Sequence, residues 1–221
     1  MKHEKPDVPG YAKIRKTNKH SSYDQNAAWP ILDTGLVGHA GFIADGRPMV
    51  IPMAYARSGT KLYLHGASKT RIIKNNSEGT PMTMTVTLLD GIVAGRSAFH
   101  HSVNYRCAIA HGTAREVTDE DELLMALTAI TDHLLPGRWD ECRPMSAKER
   151  KATGVVVMDI EHVTTKARTG PPVDEDEDYE LDIWAGVVPV VTALGQPHAD
   201  ERVKPGVEVP PSVGLAKKKF A

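Results

Sequence analysis

Along most of its length the chain alternates short apolar runs with turn residues, and the runs have the two-residue period of strands. Residues 36–44, 49–57 and 61–65 are rich in β-formers, and the turns Asp45-Gly46-Arg47 and Ser58-Gly59-Thr60 separate them. A second group follows with 81–89 and 92–99, joined hairpin-fashion at Asp90-Gly91, then 105–117, then 155–160 with 163–168 continuing or bending it. So many strands at such close spacing predict a small antiparallel barrel.

The helical period appears in only a few places. Asp24 is placed to cap a helix running to about Thr34, with Ala28, Ile31 and Leu32 inward, Pro30 as an irregularity and Gly35 as its stop. Thr118 with Asp121 resembles a capping box ahead of Leu123, Leu127, Ile130 and Leu134, and Pro136-Gly137 closes that helix. Ser146 with Glu149 opens a short one ending near Gly154. A further short helix, 70–75, follows the strand 61–65, whose Leu62 and Leu64 share one face. Ser68 is its expected N-cap and Ile72 and Ile73 are its core contacts.

That last helix start carries the clearest chemistry. A dianionic phosphate needs several charge-assisted donors, and Lys69, Arg71, the Ser68 hydroxyl and free helix amides supply them within one turn. The same residues also suit an ordinary solvated helix start, since Lys and Arg are good helix formers.

Composition narrows the field. The 221 residues suit one domain, 24–195, with an N-terminal arm over 1–23 and an extended tail over 196–221. With 41% hydrophobic residues the chain can bury a real core, and a net charge of −1 gives no general attraction to nucleic acid or an anionic membrane. Cys107 and Cys142 form no CxxC, so neither a disulfide framework nor a metal site is indicated. No run approaches the ~18 apolar residues of a membrane span. A cytoplasmic protein is therefore expected, and the sequon Asn75-Asn76-Ser77 is then without meaning. The acidic run 174–178 reads as a solvated loop, and 184–190 as an apolar island behind it.

Several segments, in order, resemble the pyridoxamine 5′-phosphate oxidase-like FMN-binding split-barrel family, in particular the branch that includes the nitroimidazole-resistance reductases. They are Gly41-Phe42-Ile43 with Asp45-Gly46-Arg47-Pro48-Met49-Val50-Ile51-Pro52-Met53, then Leu62-Tyr63-Leu64-His65-Gly66-Ala67-Ser68-Lys69. Asn104-Tyr105-Arg106-Cys107 with His111-Gly112-Thr113-Ala114, Thr165-Lys166-Ala167-Arg168-Thr169-Gly170 and Trp184-Ala185-Gly186-Val187-Val188-Pro189 complete the set. The resemblance covers residues 22–200.

It implies a mainly β fold with peripheral helices, a six-stranded antiparallel split β-barrel that forms homodimers with FMN in two interfacial clefts. It implies that Val50, Ile51, Pro52 and Met53 run beside the isoalloxazine edge, and that His65, Ser68, Lys69 and Arg71 hold the ribityl phosphate. Asn104, Tyr105 and Arg106 would reach the cofactor from a neighbouring strand, and Trp184 from the second subunit. A Met/Ile/Pro-rich strand with available backbone groups suits a flat apolar ring with a polar edge. Other roles stay open for some of these residues. His65 also fits a satisfied polar position, Trp184 core or interface, and Cys107 a small buried hydrophobe. His100 and His101, adjacent on a strand, point to opposite faces and cannot chelate together.

The vitamin-processing enzymes of the family carry a C-terminal Arg-x-His-type segment that clamps the substrate phosphate, and Val187-Val188-Pro189-Val190 offers none. The expected function is thus an FMN-dependent oxidoreductase acting on a small neutral or apolar substrate, with the flavin doing the chemistry and no separate catalytic residue named. The alternatives are a non-catalytic flavin-binding protein, and a haem-binding member of the fold using His65 or His111 as axial ligand.

Overall fold

Asp24 stands where the chain turns helical. Its Oδ1 accepts from the Asn26 amide at 2.9 Å, α1 runs Gln25–Thr34, and Gly35 ends it with its N–H on the Ile31 carbonyl at 3.1 Å. The remaining strands are β1 (Ser21–Ser22), β2 (Gly38–Ala44), β3 (Arg47–Met53), β4 (Tyr55–Ser58), β5 (Lys61–Ala67), β6 (Thr80–Ala94), β7 (Ser102–Glu116), β8 (Thr153–Arg168) and β9 (Gly186–Pro189). The helices after α1 are α2 (Arg71–Lys74), α3 (Glu120–Leu134), α4 (Arg138–Glu141), α5 (Ala147–Ala152) and α6 (Pro211–Lys219). The structure is a computed structural model and describes residues 8–14, 21–74 and 79–220. Most of the expected N-terminal arm and the sequon at Asn75 lie outside the described residues.

The strands form one mainly antiparallel sheet in the order β3-β2-β6-β7-β8-β5-β4, with β1 paired on β8 and β9 on β6. The path is open, with β3 and β4 at its two ends. Only Ala54 separates those two strands, so the expected single strand 49–57 is two, and the chain passes directly from one end of the path to the other. Pro48 and Pro52 lie on the end strand β3, where a missing N–H is tolerated.

Asp90-Gly91 is not a hairpin turn, because β6 runs straight through it. Gly91 has no positive φ and serves a close approach instead: a Cβ there would lie 3.0 Å from Val187 Cγ1 and 3.2 Å from the Val188 carbonyl oxygen of β9. The turn at Asp45-Gly46 is as expected, with φ of 52° and 70° in a two-residue link between β2 and β3.

The chain falls into two units. One comprises Met1–Gly35, Thr85–Ala110 and His162–Val191. Within it Ala28, Ile31 and Leu32 of α1 are buried, as are Val86, Val93, Ala108, Ala110 and Val163 of the strands. The other comprises Leu36–Met84, His111–Glu161 and Thr192–Ala221. Its core sets Leu123, Ala126, Leu127 and Ile130 of α3 against Ala56, Tyr63, Val155 and Val157. Each large side chain buried there contributes about 1.5–3 kcal/mol.

Three details depart from the sequence pattern. The N-cap of α3 is Asp119, whose Oδ1 accepts from the Glu122 amide at 2.8 Å, rather than Thr118. Tyr63 is buried along with Leu62 and Leu64, because α3 covers the face that strand alternation would leave open. The tail expected to be extended ends in α6, which Pro211 at its start permits. Ser212 donates its amide at 3.0 Å and its hydroxyl at 2.6 Å to Glu141, and Lys219 donates to the His133 carbonyl at 2.7 Å, at the C-terminal end of α3.

Candidate functional site

In the larger unit the candidate residues gather on two strand segments and the turn after β5. Register pairs His39 with Pro52, Gly41 with Val50 and Ile43 with Pro48, so these six share one face of the β2–β3 hairpin. That face is open: Ile43 is 62% and Val50 65% exposed. Ile51 and Met53 point to the other face, and Met53 Cε lies 4.0 Å from where a Cβ on Gly66 would stand, which brings the end of β3 to the end of β5. His39 joins this face, although it is not among the site residues expected from sequence. Its signal was there, since strict alternation in β2 puts it opposite Pro52.

The turn after β5 is fixed by β8. His65 stands opposite Val155, Gly66 opposite Gly154 and Ala67 opposite Thr153, and the Ser68 amide donates to the Ala152 carbonyl at 2.9 Å. The helix that follows starts one residue later than expected: Thr70, not Ser68, precedes it, and the Thr70 carbonyl accepts from the Lys74 amide at 3.1 Å. The four described residues of α2 offer little dipole, so an anion here would rest on side-chain charge. Lys69 and Arg71 supply it. Both are exposed, and neither makes an ion pair with any described residue. His65 is exposed by area, yet desolvation by the protein behind it lowers its pKa, so its imidazole is neutral at pH 7. Among the described residues it has no hydrogen-bond partner. His111 differs, with Nδ1 3.0 Å from Thr83 Oγ1.

In the smaller unit the candidates are mostly engaged. Asn104 is buried and donates from Nδ2 to the Gly170 carbonyl at 3.0 Å, while its Oδ1 accepts from Arg168 Nη1 at 2.5 Å. Arg106 binds Asp90 with both arms, Nε to Oδ2 at 3.0 Å and Nη2 to Oδ1 at 2.7 Å. This pair raises the Arg106 pKa, mainly through the hydrogen bond. Tyr105 is half-buried and Trp184 is 69% exposed. Burial pushes the Cys107 thiol up, so it is no nucleophile at neutral pH. The acidic run is not wholly solvated, because Asp174 is buried and accepts from the Arg96 amide at 2.8 Å and Nη1 at 3.1 Å.

A groove of about 950 Å³ lies apart from these residues, among α3, α4 and α5. Its Arg138, Arg143 and Arg150 are held by Glu141, Glu149 and Glu120, and none of the predicted site residues lines it. Among the described residues no cluster of His, Cys, Asp and Glu could hold a metal ion, and no helix is long and apolar enough to cross a membrane.

An open antiparallel sheet whose end strands are joined by one residue is the architecture of a split barrel. The sequence model of the pyridoxamine 5′-phosphate oxidase family matches residues 24–167, and the chain belongs to that family. Among solved structures it is similar to the flavocytochrome Anf3 from Azotobacter vinelandii, at 35% identity and TM-score 0.87 over 94% of this chain and 96% of that one. It is also similar to an FAD and haem binding protein from Mycobacterium smegmatis, at 34% identity and TM-score 0.84 over 90% and 98%. A Bacteroides thetaiotaomicron protein described for 5-nitroimidazole antibiotic resistance shares the fold, at 19% identity and TM-score 0.54 over 66% and 85%. No curated protein sequence matches the chain significantly.

Proposed function

We propose that this protein is a flavin- and haem-binding redox protein, with Lys69, Arg71 and Ser68 holding the flavin phosphate and His65 serving as a haem ligand. The observation that carries this is the run from His65 to Arg71, in which an imidazole kept neutral by desolvation is followed by two cations, none of the three side chains having a partner among the described residues. A haem iron needs a deprotonated ring nitrogen, and a phosphate needs uncommitted positive charge. The residues present fit both groups. His65 is favoured over His111 because it is exposed beside the Lys69–Arg71 turn, whereas His111 is half-buried within β7.

The two relatives at 34–35% identity, named as a flavocytochrome and as an FAD and haem binding protein, support this reading over a flavin-only one. The same name favours FAD over the FMN expected from sequence. The β2–β3 face of His39, Val50 and Pro52 gives a flat apolar ring a place to lie. When bound, the flavin supplies hydride and two-electron chemistry and the haem one-electron exchange; the chain's residues bind, orient and shield them. The electron donor is a reduced nicotinamide or free reduced flavin, the acceptor a small neutral molecule, the assembly a homodimer and the compartment the cytoplasm.

A visible spectrum of the purified protein tests the proposal. Flavin bands together with a Soret band that His65→Ala removes support it, and heat-released flavin that phosphodiesterase converts to FMN identifies FAD. Flavin bands without a Soret band, after haem supplementation, overturn the haem assignment.

A further inference from the structure

We propose that Arg96 and Asp174 are positioning residues that set where Trp184 stands, by pinning the segment 171–191 at its root. The inference rests on the expectation, implied by the family resemblance, that Trp184 reaches the flavin from the second subunit. Residues 175–184 are almost wholly open to solvent, and Tyr179, Leu181, Ile183 and Trp184 are all exposed. So long a span with so few buried contacts holds its course only if its ends are fixed.

One end is fixed by β9, which pairs with β6 from Gly186 on Ala94 to Pro189 on Gly91. Trp184 belongs to this end, since its ring lies 3.1 Å from where a Cβ on Gly186 would stand. The other end is Asp174, whose side chain is removed from solvent and accepts both the Arg96 amide and its guanidinium. Arg96 touches the segment a second time, with its guanidinium carbon 4.5 Å from the centre of the Tyr179 ring. Two grips five residues apart give the span a direction as well as an anchor.

The sequence around Arg96 is shaped for this contact. A Cβ on Gly95 would stand 2.9 Å from Asp174 Oδ1 and 2.7 Å from His100 Cβ, so only glycine lets Asp174 come that close. Glu175, Asp176, Glu177, Asp178, Glu180 and Asp182 repel one another along the span, and Arg96 is the cation that counters them at its root. His100 adds to this when protonated, with Nε2 3.8 Å from Glu175 Oε1. Arg96 Nε is buried without a partner, so the guanidinium sits there for its grip on Asp174 and Tyr179 rather than for full hydrogen bonding.

The test uses the full chain as purified and two readouts that need no cofactor. One is the rate of Glu-C cleavage within 175–182, and the other is acrylamide quenching of the emission lost in Trp184→Phe. Arg96→Ala and Asp174→Asn are each expected to speed cleavage by about tenfold or more and to raise the quenching, and Arg96→Lys to restore part of both. Asp174→Asn keeps an acceptor for the Arg96 amide and so gives the answer if Arg96→Ala does not fold. A fall in thermal midpoint with cleavage and quenching unchanged makes the pair merely structural and overturns the inference. A protein that binds neither flavin nor haem yet shows faster cleavage overturns the proposed function and leaves the pinning intact.

Discussion

Arg168 donates from Nη1 to Asn104 Oδ1 at 2.5 Å, and Asn104 passes its own amide to the Gly170 carbonyl at 3.0 Å, so two residues that could have faced a substrate close on each other. Nη2 of Arg168 is spent as well, on the Pro171 carbonyl at 3.2 Å. A phosphorylated substrate beside a flavin brings in a second anion, whose desolvation is offset only by cations not already committed. Arg168 and Arg106 are both committed. The flavin-loaded protein is therefore expected not to oxidise pyridoxamine 5′-phosphate in air, with hydrogen peroxide and pyridoxal 5′-phosphate measured together. Turnover at ~1 s⁻¹ or faster would mean that Arg168 leaves Asn104 to serve as a clamp.

Lys69 and Arg71 have no such commitments among the described residues. Each charge-assisted bond to a phosphate is worth about 1.5–3 kcal/mol, so losing two weakens flavin binding on the order of a hundredfold or more. Lys69→Ala with Arg71→Ala is expected to purify without flavin while its circular dichroism matches the parent, since both side chains are exposed. Full flavin content in the double variant places the phosphate elsewhere.

These two cases show what the sequence made legible. The exposure of Lys69 and Arg71 was readable because surface charge next to a strand end is a local pattern, whereas the engagement of Asn104 depends on Arg168, sixty-four positions away. Strand periodicity disclosed β2, β3 and β5, but the break at Ala54 carries no turn residue; it arises because β3 and β4 belong to opposite ends of the sheet path. Asp90-Gly91 was misread for the opposite reason. Its turn composition is real, and its cause is the approach of β9, a tertiary contact that no window of sequence contains. The acidic run hid Asp174 for the same reason, its partner Arg96 lying far back in the chain.

A homodimer is expected from the apolar surface each unit leaves uncovered. Ile43 and Val50 are exposed on the larger unit, and Trp184 and Val191 on the smaller. Large apolar side chains left open on a folded unit, such as Ile43 and Val50 on one face of the β2–β3 hairpin, are candidates for burial against a second copy. Light scattering at micromolar concentration should give twice the 24.1 kDa chain mass. A monomer mass that persists with cofactor bound rules the dimer out.

Tyr63 gives the protein a dependence on high pH. Burial, the Glu122 charge and the hydrogen bond from the Tyr63 hydroxyl to Glu122 Oε1 at 3.2 Å push its pKa from 10 to about 12, against a smaller opposing pull from Arg115. The folded state thus prefers the neutral phenol more strongly than the unfolded chain does. A raised pKa contributes stability that is fully present below pH 10, where the phenol is neutral in both states, and is lost as pH rises through about 12. Tyr63→Phe removes the titration while keeping the ring in the α3 core. Its absorbance at 295 nm should lack one component near pH 12, and its urea midpoint should fall less than the parent's between pH 10 and 12. Lysine and arginine titrations are common to both proteins and cancel in the difference. An unchanged gap in midpoint between the two proteins across that window would mean that Tyr63 ionises alike in the folded and unfolded chains, and that its contact with Glu122 does not hold the phenol neutral.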